Sequence, residues 1–490
     1  MPADGSQSVR IALPSGPTDL DPRFGSINVS SFRVIEQVFR YLVRKDTNSH
    51  IVPDLAERWE TPDDRTWVFT LRPDVTFHDG SALTSDDVRY TFETVMDSSF
   101  SSPLRGAYHN VRAIETPDSL TIIFKLDQPH APFLVDLILG IVPRHIAESQ
   151  GRAFGRAPVG CGPFQFAHWQ EDQYVELTAY ENFYLGRPKV DKLVFQIMPE
   201  ATTRLFAVKK GDIDLLVNEF PPEYLPQFES VDRVEIRKSS SVIYEYIGMN
   251  LGRGPLQQQS VRRAIALAIN RQQMLQSLRG GLGESATGLL SPSHWAFAAD
   301  VEAMGHDPVQ ARNLLDEAGY PDPDGMGPKV RFTLEYKCAN LESSRQKAEA
   351  VQHYLAEVGI GVTVKSFEWA TFFDDIRNSR FDLYSLQWVG ISDPDIYYRL
   401  FHSSGDNRNQ YKNAELDVLL ERGRQTMDRD MRRDIYIQVQ QILARDLPYI
   451  SLWHPLNLTV INRTLNGFVS YPAGDLESLR SVYRPATANR

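Results

Sequence analysis

Between residues 255 and 460 apolar positions recur at helical spacing, then alternate, then return to helical spacing. From Ser260 to Arg279, Val261, Ala264, Ile265, Ala268, Leu275 and Leu278 share one face of a 3.6-residue period, and Gly280-Gly281 supplies the stop. Asp307-Pro308 reads as an N-cap followed by proline at the first helical position, and the helix through Leu314 and Leu315 closes at Gly319. Val330, Phe332, Leu334 and Tyr336 alternate as a half-buried strand. Ala348, Val351 and Leu355 mark a helix ending near Gly359, after which Ile360, Val362 and Val364 alternate again. Strand, helix and strand in that order imply a sheet with crossover helices.

The stretch from Asp54 to Lys125 differs in character. Trp67 to Leu71 and Leu120 to Leu126 read as strands, and Asp86-Asp87-Val88 opens a short helix after the turn His78-Asp79-Gly80. This mixture predicts a smaller α+β subdomain. The most apolar run, Phe133 to Val142, is interrupted by Asp136 and reads as a buried core segment. No internal repeat or low-complexity tract interrupts the pattern.

Length and charge narrow the function. A chain of 490 residues exceeds the roughly 250–300 residues at which single cores stop growing, so two or more lobes are expected. A hydrophobic fraction of 42% with 23% charged residues is that of a soluble globular protein, and no stretch of uninterrupted apolar residues is long enough to span a bilayer. Lysine plus arginine (52) against aspartate plus glutamate (63) leaves a net charge of −11 without a long basic run, which argues against a nucleic-acid partner. Cys161 and Cys338 are the two cysteines; they form no CxxC spacing and read as buried free thiols. Met1-Pro2-Ala3-Asp4-Gly5 has neither a basic n-region nor an apolar h-region. The expectation is therefore either a cytosolic protein or a sequence from which a leader has been removed.

Catalytic patterns are missing. The pair Gly-Lys of a phosphate-binding loop occurs nowhere, no two of the 11 histidines lie within five positions of one another, and Gly283-Glu284-Ser285-Ala286-Thr287 lacks the closing glycine of a nucleophile elbow. Gly160-Cys161-Gly162-Pro163 reads as a tight turn because Pro163 would end a phosphate-cradling helix. Pro321-Asp322-Pro323-Asp324-Gly325 lacks the ligand spacing and closing glutamate of a calcium loop and reads as a solvated turn. No enzyme activity, cofactor or metal is expected. Aromatic residues are abundant, and Trp295, Tyr336, Trp369, Trp388 and Trp453 fall at strand ends or breaks in pattern, where ligands of α/β sheets collect.

Several blocks together resemble a known family. Leu55-Ala56-Glu57-Arg58-Trp59, Thr70 to Gly80 (TLRPDVTFHDG) and Leu83 to Val88 (LTSDDV) look like its signature. Val142 to Ile146, Val159 to Phe164, Lys210-Gly211-Asp212-Ile213-Asp214, Met249-Asn250, Val261-Arg262, Ile269-Asn270-Arg271 and Glu317 to Pro321 add to it. So do Asp393-Pro394, Tyr411-Lys412-Asn413 with Leu416-Asp417, and Leu447 to Ile450. Over nearly the whole chain the sequence is similar to the peptide, dipeptide and nickel-type solute-binding proteins of ABC importers, solute-binding family 5; one departure is Cys161, where the family usually has Thr or Ser. These residues read mostly as turn and packing elements, His78-Asp79-Gly80 included, so they identify the scaffold and not the ligand.

The resemblance implies an α/β type II periplasmic-binding-protein fold: two lobes with a hinge plus an extra α+β subdomain. The first lobe is expected from 1–41, 168–249 and 462–490, the subdomain from 42–167, and the second lobe from 250–461. The crossings are expected near Ile247-Gly248-Met249-Asn250 and Leu458-Thr459-Val460-Ile461, and closure around a ligand is the expected motion. It further implies a periplasmic or otherwise extracytoplasmic protein, with or without a lipid anchor, that acts as a monomer and delivers a peptide-like or other small solute to a permease and ATPase. A ligand-sensing or chaperone role on the same scaffold, or a non-peptide solute such as a metal chelate, remains open.

By resemblance, Trp369 and Trp388 line the ligand cavity, with Tyr336, Tyr244 and Trp453 as further candidates. Peptide binders continue from the second tryptophan as Trp-x-x-Asp, the aspartate pairing with the peptide's α-amine; here Trp388-Val389-Gly390-Ile391 puts an aliphatic side chain there. Arginines of oligopeptide binders fall on Ile376 and Ser385. Asp393 is an alternative anion. The expected ligand therefore lacks a free α-amine as its anchor, and is a blocked or modified peptide or a solute with an apolar or aromatic body.

Overall fold

Val9, Ile11 and Leu13 are buried along the strand Ser8–Leu13, which runs parallel to a neighbour on each side, Lys192–Ile197 and Leu215–Val217. Around this trio a seven-stranded sheet forms in the order Val234–Ser239, Asn457–Asn462, Leu215–Val217, Ser8–Leu13, Lys192–Ile197, Tyr174–Ala179, Phe164–Gln170, with every other pairing antiparallel. The helix Val29–Val38, started by the Asn28 side chain accepting from the Ser31 amide, buries Val34, Ile35 and Val38 against the sheet. The computed structural model describes residues 7–25, 28–218, 220–325 and 327–485.

The region read as α+β is a four-stranded antiparallel sheet, Ala56–Asp63, Thr66–Leu71, Thr121–Leu126 and Val111–Asp118 in spatial order, with the helix Ser85–Met96 beside it. Trp67, Phe69 and Leu71 alternate inward on one strand and Ile122, Phe124 and Leu126 on the next. The run from Phe133 to Val142 holds one short helical turn, Phe133–Asp136, and buries Phe133, Leu137, Leu139, Ile141 and Val142.

By internal contacts the chain forms two compact units, residues 1–239 with 457–490, and residues 240–456. The crossings thus fall at Ser239–Ser240 and Leu456–Asn457. Ile247-Gly248-Met249, expected at a crossing, lies inside the second unit as part of the strand Tyr244–Met249, because that strand is hydrogen-bonded on both sides. Leu458 to Ile461, expected at the return, sits inside the first unit's sheet for the same reason.

The second unit is a sheet with helices on both faces. Its strand order is Gly283–Ser285, Tyr449–Pro455, Tyr244–Met249, Leu383–Trp388, Phe332–Ala339, Ile360–Phe367. On one face Ile247, Leu334, Tyr336, Cys338, Ile450 and Leu452 pack with Val261, Ile265, Leu275, Leu315, Val351 and Leu355. On the other, Tyr244, Tyr246, Tyr384 and Tyr449 pack with Phe372, Tyr397, Leu420, Tyr436 and Val439. The helical pattern from Ser260 to Arg279 is divided into Gln259–Ala268 and Arg271–Arg279. Ile269 is extended, and the Asn270 side chain accepts from the Gln273 amide, a local bond that starts a new helix instead of continuing the old one.

Candidate functional site

The strands Phe332–Ala339, Ile360–Phe367 and Leu383–Trp388 run parallel, so their carboxyl ends lie along one edge of the second unit's sheet. The segments that leave these ends carry Leu341, Trp369 and Val389, which are 58%, 52% and 46% exposed. Large apolar side chains left in water on three neighbouring strand ends mark a surface made for contact. The antiparallel strand Tyr244–Met249 begins at the same edge, since Tyr244 pairs with Trp388, and Tyr449–Pro455 ends there. Both crossings therefore adjoin this edge in the chain.

Local structure sets the two tryptophans. Glu368 Oε2 accepts from the Ala370 amide at 2.8 Å and starts the helix Trp369–Arg377, which leaves Trp369 at its first, outward position. One turn on, Phe373 stacks under the Trp369 ring with centroids 5.7 Å apart and planes 14° apart. Trp388 ends its strand before the turn at Gly390, whose φ of 75° is a conformation glycine adopts without strain. The guanidinium carbons of Arg399 and Arg408 each lie 5.8 Å from the Trp388 ring centroid, and that of Arg408 lies 5.0 Å from the Phe373 ring. Trp369 and Trp388 are thus brought into one aromatic and cationic neighbourhood through Phe373 and Arg408.

The other expected residues are buried inside the second unit. Tyr336 and Trp453 pack on one face of the sheet, and Tyr244 and Ile391 on the opposite one. Tyr244 donates or accepts a 2.7 Å hydrogen bond with Ser451 Oγ. Ser385 is 7% exposed and, three positions before Trp388 on one strand, faces the other side of the sheet. Ile376 is fully buried in the helix Trp369–Arg377. Leu341, Val389 and Arg408 did not emerge from the sequence. The signal that could have found the first two is an apolar residue just beyond a strand end, outside the alternation.

Asp393 is already occupied. Both of its oxygens accept from Arg432, at 2.6 and 2.8 Å, and Oδ1 also accepts from the Asp395 amide at 2.8 Å. Burial would raise this carboxyl, but the Arg432 charge overcomes burial and holds it below the usual range. Asp395 is paired in the same bidentate way with Arg424, at 3.0 and 2.7 Å. Glu245 beside Trp453 is a third buried carboxylate, matched by Lys347 and by Arg279 at 3.1 Å; these two charges hold it low against the opposing effect of burial.

The His78-Asp79 pair has no catalytic arrangement. His78 Nδ1 accepts from the Gly160 amide at 3.3 Å, so Nε2–H donates to the Gly162 carbonyl at 3.1 Å, and burial lowers the ring to about 4. It is a neutral strap between two turns. Asp79 accepts instead from Ser81 and pairs with His145. Among the described residues no three His, Cys, Asp or Glu side chains form a metal cluster. Both cysteines are buried and free, and burial pushes the Cys161 thiol up to about 12.

Comparison with known proteins adds to this geometry. A family model described as bacterial extracellular solute-binding proteins, family 5, matches residues 50–409. The oligopeptide-binding protein AppA of Bacillus subtilis is 28% identical over 478 residues, covering 93% of this chain and 87% of the relative. Di/tripeptide-binding protein 4 of Pseudomonas aeruginosa is 30% identical over 489 residues, covering 92% and 90%. The solved structure of the Bacillus subtilis AppA in complex with a nonapeptide superposes with a TM-score of 0.84 at 25% identity, covering 98% of this chain and 100% of that one.

Proposed function

The chain belongs to the bacterial extracellular solute-binding proteins, family 5, and from that membership we propose that it takes hold of its solute at the carboxyl edge of the second unit's sheet and passes it on chemically unchanged. As a family member it is the extracytoplasmic solute-binding component of an ABC importer, working with a permease and an ATPase. Relatives named for oligopeptides and for di- and tripeptides favour a peptide-like solute. Trp369 and Trp388, with Leu341 and Val389, supply broad apolar contact that tolerates variable side chains at little entropic cost.

The observation that carries the ligand class is the state of the carboxylates after Trp388. Ile391 stands where a peptide binder's amine-pairing aspartate would be and is packed in the apolar cluster, while Asp393 and Asp395 are each consumed by an arginine. A primary ammonium brought to this place would be desolvated without a partner, a penalty of several kcal/mol. The solute is therefore a blocked or modified peptide, or another small molecule with an apolar or aromatic body. Mass spectrometry of the solute released from purified protein identifies the class. Calorimetric titration with matched free and N-acetylated short peptides tests the selectivity: acetylation should leave affinity unchanged or improve it. Micromolar binding that disappears on acetylation would return the protein to the amine-anchoring binders.

A further inference from the structure

Two adjoining cavities of about 60 and about 130 Å³, lined by neither Trp369 nor Trp388, lie within the second unit, sharing Arg271, Ala286, Ala303 and Met304 in their walls. Arg271 opens the helix Arg271–Arg279, and no carboxylate lies within ion-pair distance of it among the described residues. Among the described residues its side chain makes a single hydrogen bond, a long 3.4 Å contact to the Gly305 carbonyl. A guanidinium carries five donors and does not lose its charge, and that of Arg271, which is only partly buried, meets no carboxylate among the described residues. Burial lowers its pKa from the ordinary value, with the Tyr244 hydroxyl the only group offsetting it.

The wall of the smaller cavity is largely apolar, with a few hydroxyls set into it. Tyr244 and Ser451, joined by their hydroxyls, line it together with Thr287. The Tyr397 side chain is 1% exposed, and its hydroxyl has no well-formed hydrogen bond, although the Leu289 and Leu290 backbone passes close by. The one carboxylate in the wall, Glu302, is exposed. At about 10–15 Å³ of such volume per water molecule, the two spaces hold several waters or one small anion. We infer that the second unit binds a small oxyanion, a carboxylate or phosphate group, between Arg271 and the hydroxyls of Tyr397, Tyr244 and Thr287, at a site that includes neither Trp369 nor Trp388.

Thermal unfolding of the whole protein in sodium phosphate, sodium acetate and sodium chloride at equal ionic strength tests this. Phosphate or acetate should raise Tm saturably, by roughly 3 °C when the site is filled, with chloride as baseline; which salt acts distinguishes phosphate from carboxylate. The rise should vanish in Arg271→Gln, checked as folded by circular dichroism, and persist in Trp369→Ala, which leaves this cavity intact. Should Arg271→Gln not fold, Thr287→Leu, which narrows the cavity from another wall, must remove the rise. The inference is overturned if neither oxyanion exceeds chloride, as a cavity filled by water alone would give, or if folded Arg271→Gln or Thr287→Leu responds as the parent does.

Discussion

Asp393 and Arg432 form a buried bidentate pair, Oδ1 with Nη2 at 2.6 Å and Oδ2 with Nη1 at 2.8 Å, with side-chain exposures of 13% and 6%. Arg432 also donates from Nε to the Gly423 carbonyl at 2.9 Å, so the pair ties the segment after Trp388 to the helix Arg429–Asp446 and the one before it. Removing one member strands the other charge. Arg432→Met is expected to destabilise the protein by about 3–5 kcal/mol, whereas the double change with Asp393→Leu should lose less than the sum of the single changes. Urea unfolding of the two single variants and the double variant reads this directly; a loss below about 1 kcal/mol for Arg432→Met would mean that Asp393 stays solvated and free to meet a ligand.

Ile391 offers the complementary experiment. It is 6% exposed in an apolar cluster, so Ile391→Asp places a carboxylate where nothing solvates it. The expected result is a loss of about 2–4 kcal/mol in urea at neutral pH, smaller in acid where the new group is neutral. A stable Ile391→Asp protein that gains micromolar affinity for free dipeptides would show instead that this position faces solute.

Trp369 and Trp453 should report differently on solute. Trp369 is half exposed at the strand-end surface and Trp453 is 1% exposed in the core. A binder that covers the edge should shift the emission of Trp369 to shorter wavelength, and Trp369→Phe should remove most of the change seen in the parent. Trp453→Phe should keep it. If the single Trp369→Phe and Trp388→Phe variants both respond as the parent does, the edge is not where solute binds.

How far the sequence reveals such a site depends on what a one-dimensional pattern encodes. Alternation at Val330, Phe332, Leu334 and Tyr336 locates a strand, and the strand is there as Phe332–Ala339, although Val330 lies before it and is exposed. That same alternation does not distinguish an aromatic packed under a helix from one facing solvent, and Tyr336 is fully buried beneath the helix Glu342–Ala356. Trp369 was more legible because it follows a strand and a capping glutamate, a place where the chain turns outward. The break at Ile269-Asn270 was written in the sequence as an asparagine with capping capacity, but the apolar period on both sides conceals it. Arg432 lies 39 residues from Asp393, and no local spacing announces that partnership.

Glu36 gives the chain a pH dependence whose sign is set by burial. Its residue is 2% exposed, and its Oε1 accepts from the Leu476 amide at 2.8 Å. Burial is the largest influence on the carboxyl and pushes it well above the ordinary value; the nearby Asp475 and Glu477 push the same way, outweighing the Leu476 amide and Arg33. Asp475 is itself raised, again by burial first and Glu477 next, against Lys45 and Arg33. A carboxyl whose folded pKa exceeds its unfolded value of about 4.3 binds its proton more tightly in the folded state. Its stabilising contribution is complete below that unfolded value and is lost as pH rises through the raised folded pKa. Glu36→Gln keeps the acceptor for the Leu476 amide and removes the titration, so at neutral pH it should stabilise the protein, on the order of 1 kcal/mol. Other carboxylates, Asp393 among them, are held low and contribute with the opposite sign, so the informative quantity is the difference in Tm between Glu36→Gln and parent, measured from pH 4 to pH 8. That difference should grow with pH and favour the variant at the alkaline end; a difference that stays flat, or that favours the parent more as pH rises, would show that Glu36 is ionised and satisfied in the folded protein.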